Sequence, residues 1–139
     1  MVKLKEYKAP YIIQFEKLGN PTIGYISVGQ NDKMPFEIKR VFWTYFTPES
    51  VIRGRHAHYE TEQILIAASG KIVVNVEQAN GEIDKFILED PSVGIYLPPN
   101  VWHTIQYSHI STQLVLASSI FEEEDYIRSY DEFRKVWGR

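Results

Sequence analysis

Cysteine is absent from the 139 residues, which excludes disulfides, thiolate nucleophiles and Cys-ligated metals. Long apolar runs are missing too: no stretch approaches the length of a membrane span. Residues 1–10 are half charged or polar and lack the apolar core of a secretion signal, so the expectation is a cytoplasmic protein with no membrane partner. Nor is there an excess of positive charge. A net charge of -3 speaks against a general nucleic-acid binder. Repeats and low-complexity linkers are also lacking, which leaves one domain over residues 1–139. With 44% hydrophobic and 24% charged residues, the chain has enough apolar surface to build a core without disulfides or a structural metal.

Short strand-like segments fill most of the sequence. Residues 11–30 hold two β-rich runs broken at Gly19-Asn20-Pro21, and residues 36–46 read as a strand with two different faces, ended by Pro48-Glu49-Ser50. Residues 63–68 are nearly all apolar, and Ser69-Gly70-Lys71 turns the chain back into a strand over 71–77. Asn80-Gly81 is a strong hairpin signal, with 82–88 as the returning strand. After Asp90-Pro91, segments 94–97 and 113–118 continue the pattern. Between them, Pro98-Pro99-Asn100 delivers Trp102 and His103 onto a strand that bends at 106–109.

From Glu122 the period changes. Tyr126, Ile127, Tyr130, Phe133, Val136 and Trp137 recur at helical spacing, predicting an amphipathic helix from about Glu123 packed on the outside of the sheets. The acidic run Glu122-Glu123-Glu124-Asp125 suits a helix N-terminus and is assigned no functional role. Eight to ten short strands plus one terminal helix predict an all-β antiparallel sandwich or barrel, hairpin following hairpin.

The chemistry concentrates in Arg53-Gly54-Arg55-His56-Ala57-His58-Tyr59-Glu60-Thr61-Glu62-Gln63. On a strand, His56 and His58 project to one side and Ala57 to the other, and Glu62 shares the histidines' parity. Two imidazoles and a carboxylate aimed at one volume suit either a metal or general acid/base work. A further histidine, His103, sits in the second candidate strand region.

Gly54-x-His56-x-His58, Glu62 and Gly70, followed by Gly94, Pro98 and His103, resemble the two-part signature of the cupins. That resemblance implies a double-stranded β-helix, or jelly roll, with a pocket inside the barrel. Within the cupins, Ile38-Lys39-Arg40-Val41, Arg53-Gly54-x-His56-Ala57-His58, Glu62-Gln63, Gly94 through Pro98, Trp102-His103, Leu116-Ala117-Ser118 and Asp125-Tyr126-Ile127-Arg128-x-Tyr130-Asp131-x-Phe133 resemble the nucleotide-sugar 3,4-ketoisomerases. The resemblance runs from about Pro35 to the C-terminus, with residues 1–34 matching poorly. It implies conversion of a dTDP-4-keto-6-deoxyhexose to its 3-keto isomer without metal or other cofactor, on the way to 3-amino deoxysugars of surface polysaccharides such as O-antigen, or of antibiotics. It also implies a homodimer with exchanged N-terminal strands. Two departures stand out: Ile23-Gly24 where the family carries Arg-Gly, and Phe42-Trp43 where it carries Tyr-Tyr.

Moving a carbonyl from C4 to C3 needs removal of the acidic proton alpha to the ketone, an enediol, and return of a proton to the neighbouring carbon. Histidine is the side chain best matched to both halves near neutral pH, which makes His56 and His58 the catalytic candidates. For the pyrophosphate the sequence offers Arg53 first, then Arg55 and Arg40. For the base it offers the aromatic faces of Trp43, Tyr45, Tyr96 and Trp102. Glu62, Gln63 and His103 are further candidates for substrate contact. A metal-dependent cupin using His56, His58, Glu62 and His103 is the second reading, and a non-catalytic sugar-binding cupin is the third.

Overall fold

A computed structural model describes residues 5–139; residues 1–4 of the N-terminal stretch and of the expected 1–139 domain lie outside the described residues. The N-terminal half carries β1 (Tyr11–Gln14), β2 (Glu16–Asn20), β3 (Gly24–Val28), β4 (Arg40–Tyr45), β5 (Ile52–His58) and β6 (Gln63–Ser69). It is followed by β7 (Ile72–Glu77), β8 (Ile83–Leu88), β9 (Val93–Leu97), β10 (Trp102–Tyr107), β11 (Thr112–Ala117), β12 (Tyr126–Ile127) and one helix, α1 (Tyr130–Trp137).

Two five-stranded sheets face each other, ordered β1-β9-β6-β11-β4 and β12-β5-β10-β7-β8, while β2 and β3 form a separate two-stranded ribbon. Every pairing is antiparallel. This is the expected cupin double-stranded β-helix with a C-terminal helix. Its logic is the alternation of side chains: β7 and β11 bury every second residue, as strands with one face on a core must. Leu65, Ile72, Val74, Val76, Ile95, Leu97, Ile105 and Val115 meet between the sheets.

Four sequence expectations shift. Ser69-Gly70-Lys71 does not close a hairpin: β6 pairs with β9 and β11, while β7 pairs with β10 and β8, so this turn carries the chain from one sheet to the other. Gly70 has φ +74, and a Cβ there would come within 2.6 Å of Ser111, so only glycine passes this corner. The first long strand begins at Arg40 rather than residue 36: the Lys39 N–H still donates to the Ala117 carbonyl of β11 at 2.9 Å, but ahead of it Phe36 packs toward Tyr96. β10 runs straight through residue 106 to Tyr107, and the bend falls at Ser108, whose carbonyl accepts from the Ser111 N–H at 2.9 Å.

The largest shift is at the C-terminus. The helix starts at Tyr130, capped by the Ser129 hydroxyl accepting from the Glu132 N–H at 3.3 Å. Ahead of it, Glu123–Asp125 makes a 3₁₀ turn, and Tyr126 and Ile127 pair with His58 and Ala57. The apolar spacing that predicts one helix is thus divided between a strand and a helix, because β5 offers an open edge that two residues can satisfy. Phe133 and Trp137 then pack with Ala57 and Ile127. The Trp137 indole N–H donates to the His58 carbonyl at 2.8 Å.

Phe133 is fully buried between α1 and the strand carrying both central histidines. We expect Phe133→Ala to lower unfolding stability by about 3 to 5 kcal/mol in urea titrations. A loss below about 1 kcal/mol would mean that the helix decorates the barrel instead of helping to hold it.

Candidate active site

Strand β5 is irregular where it matters. Its register against β10 pairs His56 with His103, then Gly54 with Thr104 and Arg53 with Ile105, which leaves Arg55 as an extra residue. Gly54 (φ 83) and Arg55 (φ 57) both lie in the left-handed region, the signature of a β-bulge. A Cβ on Gly54 would sit 3.0 Å from the His103 carbonyl oxygen, so the close approach depends on glycine. One consequence is that Arg53 and His56, three residues apart, both face the interior. They line one cavity of about 90 Å³ with His103, Gln63, Phe42 and Tyr107. Beyond the bulge, alternation is regular: Ala57 is fully buried beneath α1 while His56 and His58 share the other side, their ring centroids 5.1 Å apart.

The three imidazoles form a compact group, with His56 and His103 centroids 4.5 Å apart. His56 Nδ1 lies 3.0 Å from the Gly54 carbonyl oxygen. A carbonyl only accepts, so Nδ1 carries the hydrogen and Nε2 keeps a free lone pair. Burial, helped by the neighbouring His58 and by the Arg128 and Arg40 charges, lowers the His56 pKa to about 4 despite the opposing Gly54 bond. Burial likewise holds His103 well below the ordinary histidine value, and its Nδ1 has no hydrogen-bond partner among the described residues.

His58 is anchored differently. Its Nδ1 lies 3.0 Å from Asp125 Oδ2, and its buried Nε2 is unpartnered among the described residues. Asp125 is itself fixed by the Glu60 N–H at 2.7 Å, the Thr61 N–H at 3.3 Å and the Thr61 hydroxyl. Burial pushes this carboxyl up, but hydrogen bonds from His58, Thr61 and Glu60 prevail and hold it below the ordinary aspartate range. The acidic run read as a mere helix start therefore contains a partner of a central histidine. The helical periodicity of the segment masked it, since pairing with β5 leaves no local signal.

Tyr126 also belongs here, its ring 5.1 Å from His56 and 4.6 Å from His58. Its hydroxyl accepts from Arg40 Nη1 at 3.3 Å. Arg40 thus stands beside the histidines, facing the same side of β4 as Phe42, whereas Arg55 is the exposed bulge residue and does not line the cavity.

Several other candidates lie elsewhere. Glu62 does not share the histidines' space. The strand ends at His58, the chain turns through residues 59–62, and the Glu62 carboxylate is taken by the Tyr96 hydroxyl and by Lys8 at 3.4 Å, in a different cleft. Parity counted along a strand loses its meaning across such a turn. Among the described residues no three His, Asp or Glu side chains converge as a metal-ligand set. Tyr96 is buried with Ile13, Phe15 and Ile64. Trp102 follows the opposite face of β10 from His103 and packs against Tyr130 and Phe133. Trp43 and Tyr45 point outward from β4, 60% and 57% exposed.

The WxcM-like, C-terminal family model (FdtA) matches residues 8–138, so the likeness extends through β1 to β3 and not only from residue 35 onward. The TDP-4-oxo-6-deoxy-alpha-D-glucose-3,4-oxoisomerase of Aneurinibacillus thermoaerophilus is 37% identical over 125 residues, covering 89% of each chain. A sugar 3,4-ketoisomerase from Thermoanaerobacterium thermosaccharolyticum in complex with TDP is similar at TM-score 0.86 and 31% identity, over 92% of this chain and 93% of that one. A histidine-to-asparagine mutant of the same enzyme, in complex with TDP-4-keto-6-deoxyglucose, gives TM-score 0.86 at 30% identity over the same 92% and 93%. A barrel of this topology, histidines of this spacing and a match over nearly its whole length establish that the chain belongs to the WxcM-like, C-terminal family.

Proposed function

We propose that this protein is a dTDP-4-keto-6-deoxyhexose 3,4-ketoisomerase, working in one cupin domain by histidine acid/base transfer. The observation that carries the reading is the pair His56 and His58: each imidazole is anchored through Nδ1, one on a carbonyl and one on a carboxylate, and the buried His58 Nε2 has no hydrogen-bond partner among the described residues. One histidine takes the C3 proton, the electron pair moves into a C3–C4 double bond, and a proton returned to C4 completes the isomerisation. A base must be unprotonated to start, and burial keeps His56 so at neutral pH. His103 packs on His56 and orients it.

Arg53 is the favoured pyrophosphate contact because it reaches the cavity from an exposed position on β5. Arg40 lies closer to the sugar end, beside Tyr126. Gln63, buried on the cavity wall, is placed to contact the hexose. No helix of the described residues is long and apolar enough to cross a membrane; we assign the enzyme to the cytoplasm, in deoxysugar synthesis for surface polysaccharide.

The β2–β3 ribbon supports a homodimer. It leaves Leu18, Ile23, Tyr25 and Ile26 between 48% and 78% exposed, and neither of its strands pairs with the barrel. A small apolar ribbon gains most by lying on a second copy of the chain.

The activity is tested by NMR of dTDP-4-keto-6-deoxyglucose with chelator-treated protein. Conversion to a 3-keto product is expected, with His56→Asn and His58→Asn each slowing it by roughly 100-fold or more. Activity that returns only with added divalent metal would favour the metal-dependent alternative.

Acid stability follows from the same burial. Between pH 6.5 and about 4 the unfolded chain binds a proton at His56 that the folded protein refuses. Stability is therefore full above pH 6.5 and declines as pH falls through this window, by up to about 3 kcal/mol from this residue. His103 acts in the same direction. Denaturation midpoints at pH 7.5 and 4.5 should show the decline, smaller in His56→Asn; equal slopes in the two proteins would contradict a buried neutral imidazole.

For assembly, light scattering at micromolar concentration should return twice the mass of one chain. Replacing Tyr25 and Ile26 by Ser should return a single chain's mass, and a monomeric parent protein would refute the dimer.

A further inference from the structure

A 3,4-ketoisomerisation moves two protons, one between carbons and one between oxygens. The histidines supply the first transfer and leave the second without a carrier. A carrier needs a hydroxyl whose proton is free, close to both imidazoles, with positive charge nearby to hold the anion it becomes. Phe42 faces the cavity but has no hydroxyl. Tyr107 donates to Gln113, and Thr61 donates to Asp125. Tyr126 differs from both: its oxygen accepts from Arg40 Nη1 at 3.3 Å, and its own proton has no acceptor among the described residues.

We propose that the Tyr126 hydroxyl, held by Arg40, carries the oxygen-bound proton between O4 and O3 of the sugar. This rests on the ketoisomerase reading and adds a catalytic residue to it. The ring touches both histidines, at 5.1 Å from His56 and 4.6 Å from His58. The Arg128 guanidinium lies 4.4 Å from the same ring and is itself clamped by Glu123 at 2.5 and 2.9 Å. Arg40 keeps a buried Nε with no partner among the described residues, a donor left over for a substrate oxygen. The strand pairing of Tyr126 with His58 fixes the phenol in place.

The step balances. As a histidine takes the C3 proton, the C3–H electron pair forms the C3–C4 double bond and the carbonyl pair moves onto O4. Tyr126 protonates O4, giving the neutral enediol and a tyrosinate beside Arg40. The tyrosinate then takes the O3 proton while the C3 carbonyl forms and the histidinium returns its proton to C4. Tyr126, the histidine and both arginines end as they began.

The test separates carbon chemistry from oxygen chemistry, using dTDP-4-keto-6-deoxyglucose in deuterium oxide followed by NMR. In Tyr126→Phe, conversion to the 3-keto sugar should fall by about 100-fold or more and exchange at C3 by about tenfold less than conversion, with dTDP affinity and melting midpoint unchanged. Conversion within about tenfold of wild type would overturn the assignment, and so would equal loss of exchange and conversion. Wild-type protein showing neither exchange nor conversion would instead remove the ketoisomerase reading itself. As a second measurement that preserves shape, 3,5-difluorotyrosine in place of Tyr126 should move the pH profile of conversion to lower pH; an unmoved conversion profile counts against the proposal.

Discussion

The pairing of Tyr126 and Ile127 with His58 and Ala57 is the contact on which the site depends. It is only two residues long, yet it closes the open edge of β5 and fixes three side chains at once. Asp125, just before it, reaches His58; Tyr126 lies against two imidazoles; Ile127 enters the apolar layer beneath α1. The helix then secures the arrangement from outside through Phe133 and the bond from Trp137 to the His58 carbonyl. Such a short ladder is weak alone, and tertiary packing supplies what its own hydrogen bonds lack.

Around that clasp, burial and charge compete, with different outcomes for neighbouring groups. His56 loses water and gains only one carbonyl, so the neutral form wins. Asp125 loses water too but gains the His58 imidazole, two backbone N–H groups and a hydroxyl, so the charged form wins. A neutral base and a fixed anion are therefore held within one small volume without a metal ligand set among the described residues. The bulge at Gly54 and Arg55 adds a left-handed non-glycine residue, a local cost of order 1 kcal/mol or more that the surrounding ladder must offset.

Much of the fold was legible in the sequence because its signals are local. The alternation of β7 and β11, the Asn80-Gly81 turn and the break at Pro98-Pro99 depend on residues close in the chain, and each appears where expected. His56 and His58 were legible for the same reason. What escaped depends on distant partners. The division of the C-terminal segment between strand and helix reflects the free edge of β5, some seventy residues earlier. Asp125 looked like dipole compensation because it closes an acidic run just where the helical spacing begins. Glu62 was misplaced by counting strand parity across a turn, and Arg55, chosen for its nearness in sequence to the histidines, by the bulge that turns it outward. Trp102 and Tyr96 were read as ligand faces because aromatic character is visible in sequence and the side they pack on is not.

The two sheets contribute different things to one interior. The histidines, Asp125 and Tyr126 stand on or beside β5, β10 and β12, whereas Phe42, Thr44, Gln63 and Gln113 come from β4, β6 and β11 of the opposite sheet. The second set can vary without moving the backbone that aims the first, since among the described residues no hydrogen-bond ladder joins the two sheets. Sugar preference and proton chemistry thereby become largely separable traits under selection, tied together where Arg40 of β4 reaches the Tyr126 hydroxyl. Lineages sharing this barrel have room to change which hexose they accept by drifting along one wall while the other stays constant.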